Sequence, residues 1–185
     1  MKAFIDLDDL WHPDQIEKHL VPIKAEVPDF KVCCYAIPNK LGPVHDLSAK
    51  YPWVTFAMHG FEHTPFECRA WTQEDAERYI DKALGMGYAA VFKPPNWIFD
   101  EELVRACEVK KIVLHHHESE DLKRFKGPLP RLYPGPKEWR INDHVNFHSH
   151  ITRNPVTDSV EDHPAFRVER LKTVEKFLTV EDVAI

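Results

Sequence analysis

Lys2-Ala3-Phe4-Ile5-Asp6-Leu7-Asp8-Asp9 opens the chain with a strand-length, largely apolar run, Lys2 to Leu7, that stops on paired carboxylates. Trp53 to Met58 is another such run, and His59-Gly60-Phe61-Glu62-His63 follows it at once. Around these two, strand-like and helix-like segments alternate. Pro13 to Ile23 places Ile16, Leu20 and Ile23 at helical spacing, with Pro13 suited to a helix start. Phe30 to Ile37 reads as a second strand ended by Pro38-Asn39, and Val44 to Lys50 as a short helix. Thr72-Gln73-Glu74-Asp75 is a helix-start signature. Ala76, Tyr79, Ile80, Ala83 and Leu84 then share one helical face, and Gly85 and Gly87 stop the helix. The remaining expectations are a fourth strand at Tyr88 to Phe92, a helix from Asp100 through Glu108, a fifth strand at Ile112 to His116 and a loop at Gly127 to Gly135. A late strand at Val145 to His148, a helical pattern over Val168 to Leu178 and a short strand at Phe177 to Val180 complete the chain.

Near-continuous apolar strands alternating with helices predict a parallel α/β architecture. Such folds collect function where the strands end at their C-terminal edge. Asp8-Asp9, His59, Lys93-Pro94-Pro95, His115 to His117 and His148 to His150 all fall at such ends.

Composition narrows the function classes. A chain of 185 residues with 43% hydrophobic content predicts one domain, residues 1–185, with a real core. A net charge of −6 argues against electrostatic binding to nucleic acid or to a membrane surface. No run approaches the ~18 consecutive apolar residues of a membrane span. The N-terminus enters a strand directly, without the apolar core of a signal peptide, so a cytoplasmic location is expected. Cys33, Cys34, Cys68 and Cys107 lack C-x-x-C spacing, which argues against a disulfide framework. Adjacent Cys33 and Cys34 on a strand should point to opposite faces, at least one of them as a small buried hydrophobe.

Twelve histidines is a high number and raises the expectation of metal chemistry. The Asp8-Asp9 pair reads either as a loop opening or helix cap, or as one metal ligand with a spare carboxylate beside it. Crowding two carboxylates is costly unless a cation compensates them. His59 and His63 do not match the helical H-E-x-x-H motif, because Gly60 follows His59 and Glu62 stands in the wrong place. A turn that folds both imidazoles onto one ion is the functional reading. Two imidazoles and a carboxylate, with positions left open for water, suit zinc or another catalytic transition metal.

Asp8-Asp9 after a strand, then His59-Gly60-Phe61-Glu62-His63, then Phe92-Lys93-Pro94-Pro95-Asn96-Trp97, then a late histidine form an ordered set. This set resembles the NodB-type polysaccharide deacetylases of carbohydrate esterase family 4. The resemblance implies an α/β fold, a distorted, incomplete (β/α) barrel of the polysaccharide deacetylase type. It implies Asp8 as general base, and Asp9, His59 and His63 as ligands of a divalent metal, Zn foremost, with Co, Ni, Mn or Fe as alternatives. Lys93 stands where the family usually has Arg and can neutralise Asp8 without the planar two-pronged grip of a guanidinium. A late histidine would be the general acid. His148 is preferred over His150 because it lies nearer the strand.

The implied activity is metal-dependent removal of an N-acetyl or other N-acyl group from a sugar or polysaccharide. The alternatives are hydrolysis of a non-sugar amide on the same fold, and a catalytically silent homologue that binds metal or carbohydrate. The expected partner is a carbohydrate or small-molecule amide, with no nucleic acid and no membrane. This chain departs from the family in having Leu10 where a glycine usually follows the aspartate pair, and in lacking a recognisable aspartate–tryptophan motif near the fifth strand, where His115 to His117 stand. Trp11, Trp97 and Trp139 stand where loops could line a cleft; large aromatics more often serve core or edge packing, and stacking on a sugar is the alternative, Trp97 foremost.

Overall fold

In the computed structural model, which describes residues 1–116, 127–134, 140–141, 144–151 and 167–184, the first strand, β1 (Lys2–Leu10), organises the sheet. Along one edge it pairs with β8 (His144–His150) over Lys2 to Asp8. Along the other edge it pairs first with β9 (Lys176–Leu178) and then with β2 (Val32–Ala36). β3 (Val54–His59), β4 (Val91–Lys93), β5 (Val113–His116) and β6 (Leu132–Pro134) extend the sheet outward from β2, and β7 (Arg140–Ile141) closes the far side beside β8. Every pairing is parallel except β7 with β8. The sheet curls into an incomplete barrel with helices outside, the architecture that strand–helix alternation predicts.

Strand alternation divides the core in two. Ala3, Ile5 and Leu7 of β1 face outward into the larger apolar layer beneath the helices. Phe4, Cys33, Val91, Val113 and Leu178 turn the other way, with Val180, and fill the floor of the barrel. Above that floor the same inward positions become polar: Asp6 and Asp8 on β1, His59 on β3, Lys93 on β4, His115 on β5. Cys33 and Cys34 fall on opposite sides as alternation requires, and both are buried with free thiols, as are Cys68 and Cys107.

The helix Gln73–Gly85 begins at a capping box, in which Thr72 Oγ1 accepts from the Asp75 amide at 3.1 Å and Asp75 Oδ2 accepts from the Thr72 amide at 3.3 Å. Its buried face is Ala76, Ile80 and Ala83. Pro13 to Ile23 is helical from Asp14, with the π-helical segment Ile16–Leu20 followed by Val21–Glu26.

Two expectations are corrected. The stretch from Gly127 contains β6, whose place is fixed by parallel backbone pairing to β5. Backbone pairing leaves no side-chain periodicity to read. The helical pattern over Val168 to Leu178 is helix only at Val168–Leu171, and Lys176–Leu178 is strand. There Phe177 packs edge-on against Phe30 in the outer layer, at 5.6 Å between ring centroids, while Leu178 joins the barrel floor. Gly135, His117 and Trp139 lie outside the described residues. No helix among the described residues is long and apolar enough to cross a membrane.

Ile80 is fully buried in the outer apolar layer. Ile80→Ala should lower unfolding stability by about 2–5 kcal/mol, read by urea denaturation, because the surrounding core relaxes only partly into the cavity.

Candidate active site

Strand alternation would send Asp8 and Asp9 to opposite faces of the sheet. A bulge prevents this: the pairing of β1 with β2 slips between Asp8 and Leu10, and Asp9 takes a left-handed φ of 66°. Both carboxylates therefore reach the mouth of the barrel. Leu10, moved one step in phase by the bulge, packs into the outer layer.

Asp9, His59 and His63 present one ligand atom each, all within 4.8 Å of one another. His59 Nδ1 lies 3.0 Å from the backbone carbonyl oxygen of Lys93. A carbonyl only accepts, so Nδ1 carries the proton and the Nε2 lone pair faces Asp9 Oδ1, 3.7 Å away. His63 Nε2 is 3.1 Å from the same oxygen. Asp9 Oδ1 is nonetheless buried without a hydrogen-bond partner. A buried carboxylate oxygen facing two imidazole nitrogens has the disposition of a metal ligand. The other oxygen, Oδ2, is 2.7 Å from His150 Nδ1. Burial alone would raise the Asp9 pKa, but His150, His63 and His59 together hold it far below the usual range. Burial lowers the His59 pKa, favouring the neutral ligand form, and the neighbouring Asp9 carboxylate raises that of His63.

The turn from His59 to His63 is built around Glu67. Its buried carboxylate accepts from the amides of Phe61, Glu62 and His63 at 3.0–3.1 Å. Burial pushes the Glu67 carboxyl up, and those amides pull it back. A Cβ on Gly60, at φ +65°, would stand 1.7 Å from Glu67 Oε1 and 2.7 Å from Pro95 Cγ, so no other residue fits.

Beside this cluster Lys93 points its fully buried ammonium into the barrel. Nζ lies 2.6 Å from Asp8 Oδ1, 2.8 Å from Asp6 Oδ1 and 3.3 Å from His148 Nδ1. The rings of Tyr35 and Trp97 cover it at 4.7 and 4.6 Å from their centroids. Desolvation would lower the Lys93 pKa, but the two carboxylates more than offset it and keep the group charged. Asp8 Oδ2 is free of Lys93 and stands 3.7 Å from His59 Nε2 and 3.9 Å from His148 Nε2. Asp8, His148 and His150 also bring ligand atoms within 4.8 Å. The Lys93 ammonium already supplies the cation there and opposes a second one.

Asp8, Asp9, His59, His63, Lys93, His148 and His150 therefore meet at one place, with His148 over Asp8 and His150 over Asp9. Asp6, Tyr35 and Glu67 were not expected. A charged residue inside the apolar run of β1, two before Asp8 and so on the same face, is the signal that identifies Asp6. His115, from the histidine run at the end of β5, donates to or accepts from the Tyr35 hydroxyl at 2.7 Å and lies deeper than the cluster. One face of Trp97 is occupied by Lys93, whereas Trp11 is 43% exposed and lines an open cleft of about 410 Å³ with Asp9, Ile37, Lys40 and His63.

Because Glu67 sets the path of the turn, Glu67→Gln should destabilise the fold by about 1–3 kcal/mol, through a buried N–H facing N–H. It should also move the His63 imidazole away from Asp9, read as a change in the His63 ring signals by NMR, since His63 hangs from that turn.

No protein-family profile matches the sequence, and no curated protein matches it. Solved structures do match. The chain is similar to the Xyl-CE4 domain of a multidomain xylanase from the hindgut metagenome of Trinervitermes trinervoides, with a TM-score of 0.62 at 11% identity, over 98% of this chain and 88% of that one. It is similar to a family 4 acetyl xylan esterase from Clostridium thermocellum in complex with a cobalt ion, with a TM-score of 0.57 at 12% identity, over 99% and 90%. It is also similar to a mutant, with restored enzymatic activity, of a family 4 pseudoenzyme of Bacillus anthracis, with a TM-score of 0.55 at 14% identity. That match covers 93% of this chain but only 60% of the other. Enzymes and a pseudoenzyme share this architecture, so activity has to be argued from side chains. At such identities the likeness is one of fold: the chain has the incomplete (β/α) barrel of the family 4 carbohydrate esterases.

Proposed function

We propose that the protein is a metal-dependent hydrolase that removes an acyl group, N-acetyl foremost, from a sugar or polysaccharide. The observation that carries this reading is the unpartnered Asp9 Oδ1 facing His59 and His63, with the Asp8 side chain held alongside. Asp9, His59 and His63 would hold the ion, with zinc best suited to two imidazoles and one carboxylate. When bound, a divalent ion supplies Lewis acidity, which polarises an acyl carbonyl and acidifies water.

The chain's own groups supply the proton chemistry. Lys93 fixes Asp8 through Oδ1, so Oδ2 is the oxygen that takes the proton from the attacking water. His148, with Nε2 toward Asp8 Oδ2, gives its proton to the departing amine, which is too poor a leaving group without it. His150, bonded to Asp9 Oδ2, orients a ligand and is less available as the acid. The Trp11 face beside Asp9 and His63 offers a sugar ring a stacking surface. The name of one structural neighbour, an acetyl xylan esterase, makes an O-acetyl sugar the substrate to compare first.

Chelation should abolish hydrolysis of N-acetylated and O-acetylated sugar oligomers, and added zinc should restore it. An inactive zinc-loaded protein on both substrates, and on linear amides, would overturn the proposal. Asp8→Asn should lower kcat about 10²–10⁴-fold while leaving zinc affinity intact, and His59→Ala should lose zinc itself. The raised pKa of His63 means that the metal displaces a proton there. Zinc affinity should therefore fall as pH drops through that raised value, and calorimetry in buffers of different ionisation enthalpy should show proton release.

A further inference from the structure

Asp6 takes no part in the chemistry above, yet its side chain is completely buried. A buried carboxylate is costly unless it is paired and its lone pairs are used. Lys93 and Asp8 alone would already make a neutral pair, so Asp6 adds a net negative charge above an apolar floor. Its surroundings show where that charge acts. In the pairing of β1 with β8, Asp6 is the direct partner of His148, which sets both side chains next to each other on one face. Asp6 Oδ1 is 3.3 Å from His148 Nδ1, and Oδ2 has no hydrogen-bond partner. The nearest other histidine nitrogen, His115 Nε2, is 3.8 Å from Oδ2, beyond hydrogen-bond reach.

We infer that Asp6 is the positioning residue for His148: it accepts the Nδ1 proton of the imidazolium and so aims Nε2 at the leaving group beside Asp8. The inference rests on the hydrolase reading above. Lys93 competes for the same nitrogen, since its Nζ also lies 3.3 Å from His148 Nδ1. Lys93 can only donate, so its bond requires a bare Nδ1, whereas Asp6 requires a protonated one. Geometry decides between them: Lys93 already donates to Asp8 and Asp6 at 2.6 and 2.8 Å, well inside its 3.3 Å approach to His148 Nδ1, whereas Asp6 is the direct strand partner of His148. Asp6 neither gains nor loses a proton in the cycle. His148 gives up the Nε2 proton to the amine and keeps the one on Nδ1, while Asp8 takes the proton lost by water, so protons balance across the step.

The test uses two leaving groups and a double-mutant cycle on the zinc-loaded full chain. An amine must be protonated as it leaves, whereas 4-nitrophenolate need not be. Asp6→Asn and His148→Ala should each lower kcat for N-deacetylation about 10²–10⁴-fold, and each should lower 4-nitrophenyl acetate hydrolysis by a much smaller factor than it lowers deacetylation. The double variant should be no slower than His148→Ala alone. Equal loss on both substrates, or losses that multiply in the double variant, would show that Asp6 acts through Lys93 or the fold and would sink the inference. If Asp6→Asn does not fold, nitrogen-15 NMR of the wild-type imidazoles decides the matter, with the His148 signals assigned through His148→Ala. A proton on Nδ1 at the pH of activity supports the assignment, and a bare Nδ1 overturns it. The NMR measurement needs no turnover, so an inactive wild type would refute the hydrolase reading and still leave the Asp6–His148 pair to be judged.

Discussion

Lys93 carries its ammonium into the barrel, where an unpaired charge could not remain. Asp6 and Asp8 reach it from one strand and hold it at 2.8 and 2.6 Å, with aromatic rings of Tyr35 and Trp97 over the rest of its surface. Removing either side of this contact would leave buried charge uncompensated, an outcome worth several kcal/mol. The interaction also ties β4 to β1 across the intervening β3 and β2, so the barrel's curl and its electrostatics are set together. The carbonyl of the same lysine fixes the tautomer of His59. One residue thus orients both a candidate base and a candidate metal ligand.

Backbone strain gathers around this centre. Among the described residues, Asp9, His63, Phe66, Asn96 and Trp97 adopt positive φ at the barrel mouth, while Lys111 does so at a helix end. Each such residue costs on the order of 1 kcal/mol or more. The surrounding contacts over-determine them: the β1 bulge with Ile37 bonded to the Leu10 carbonyl at 2.9 Å, and the three amides on Glu67. The result is a set of ligand-type side chains held close together at the barrel mouth by the backbone rather than by side-chain flexibility.

Much of this was legible in the residues. Apolar runs of strand length ending in Asp8-Asp9 and His59 placed the site at strand ends, and the fold conforms to that reading. Thr72 and Asp75 announced their helix, and the capping box is present. What escaped were features with no local signature. β6 exists because β5 offers it backbone partners. Asp6 did carry a local signal, a charge on the face of Asp8, but its partners His148 and Lys93 are brought to it only by β8 and β4.

The sequence by itself determined the strand–helix order, the two-faced strands and the stock of ligand-type side chains at strand ends, because period and chemistry are local properties. Tertiary structure alone decided which histidine serves which aspartate. His148 and His150 stand two apart on one strand and are alike in composition, but the register of β8 against β1 sets the first beside Asp6 and the second beside Asp8, near the bulged Asp9. A pairing register joins residues nearly a whole chain apart, and no local pattern encodes it.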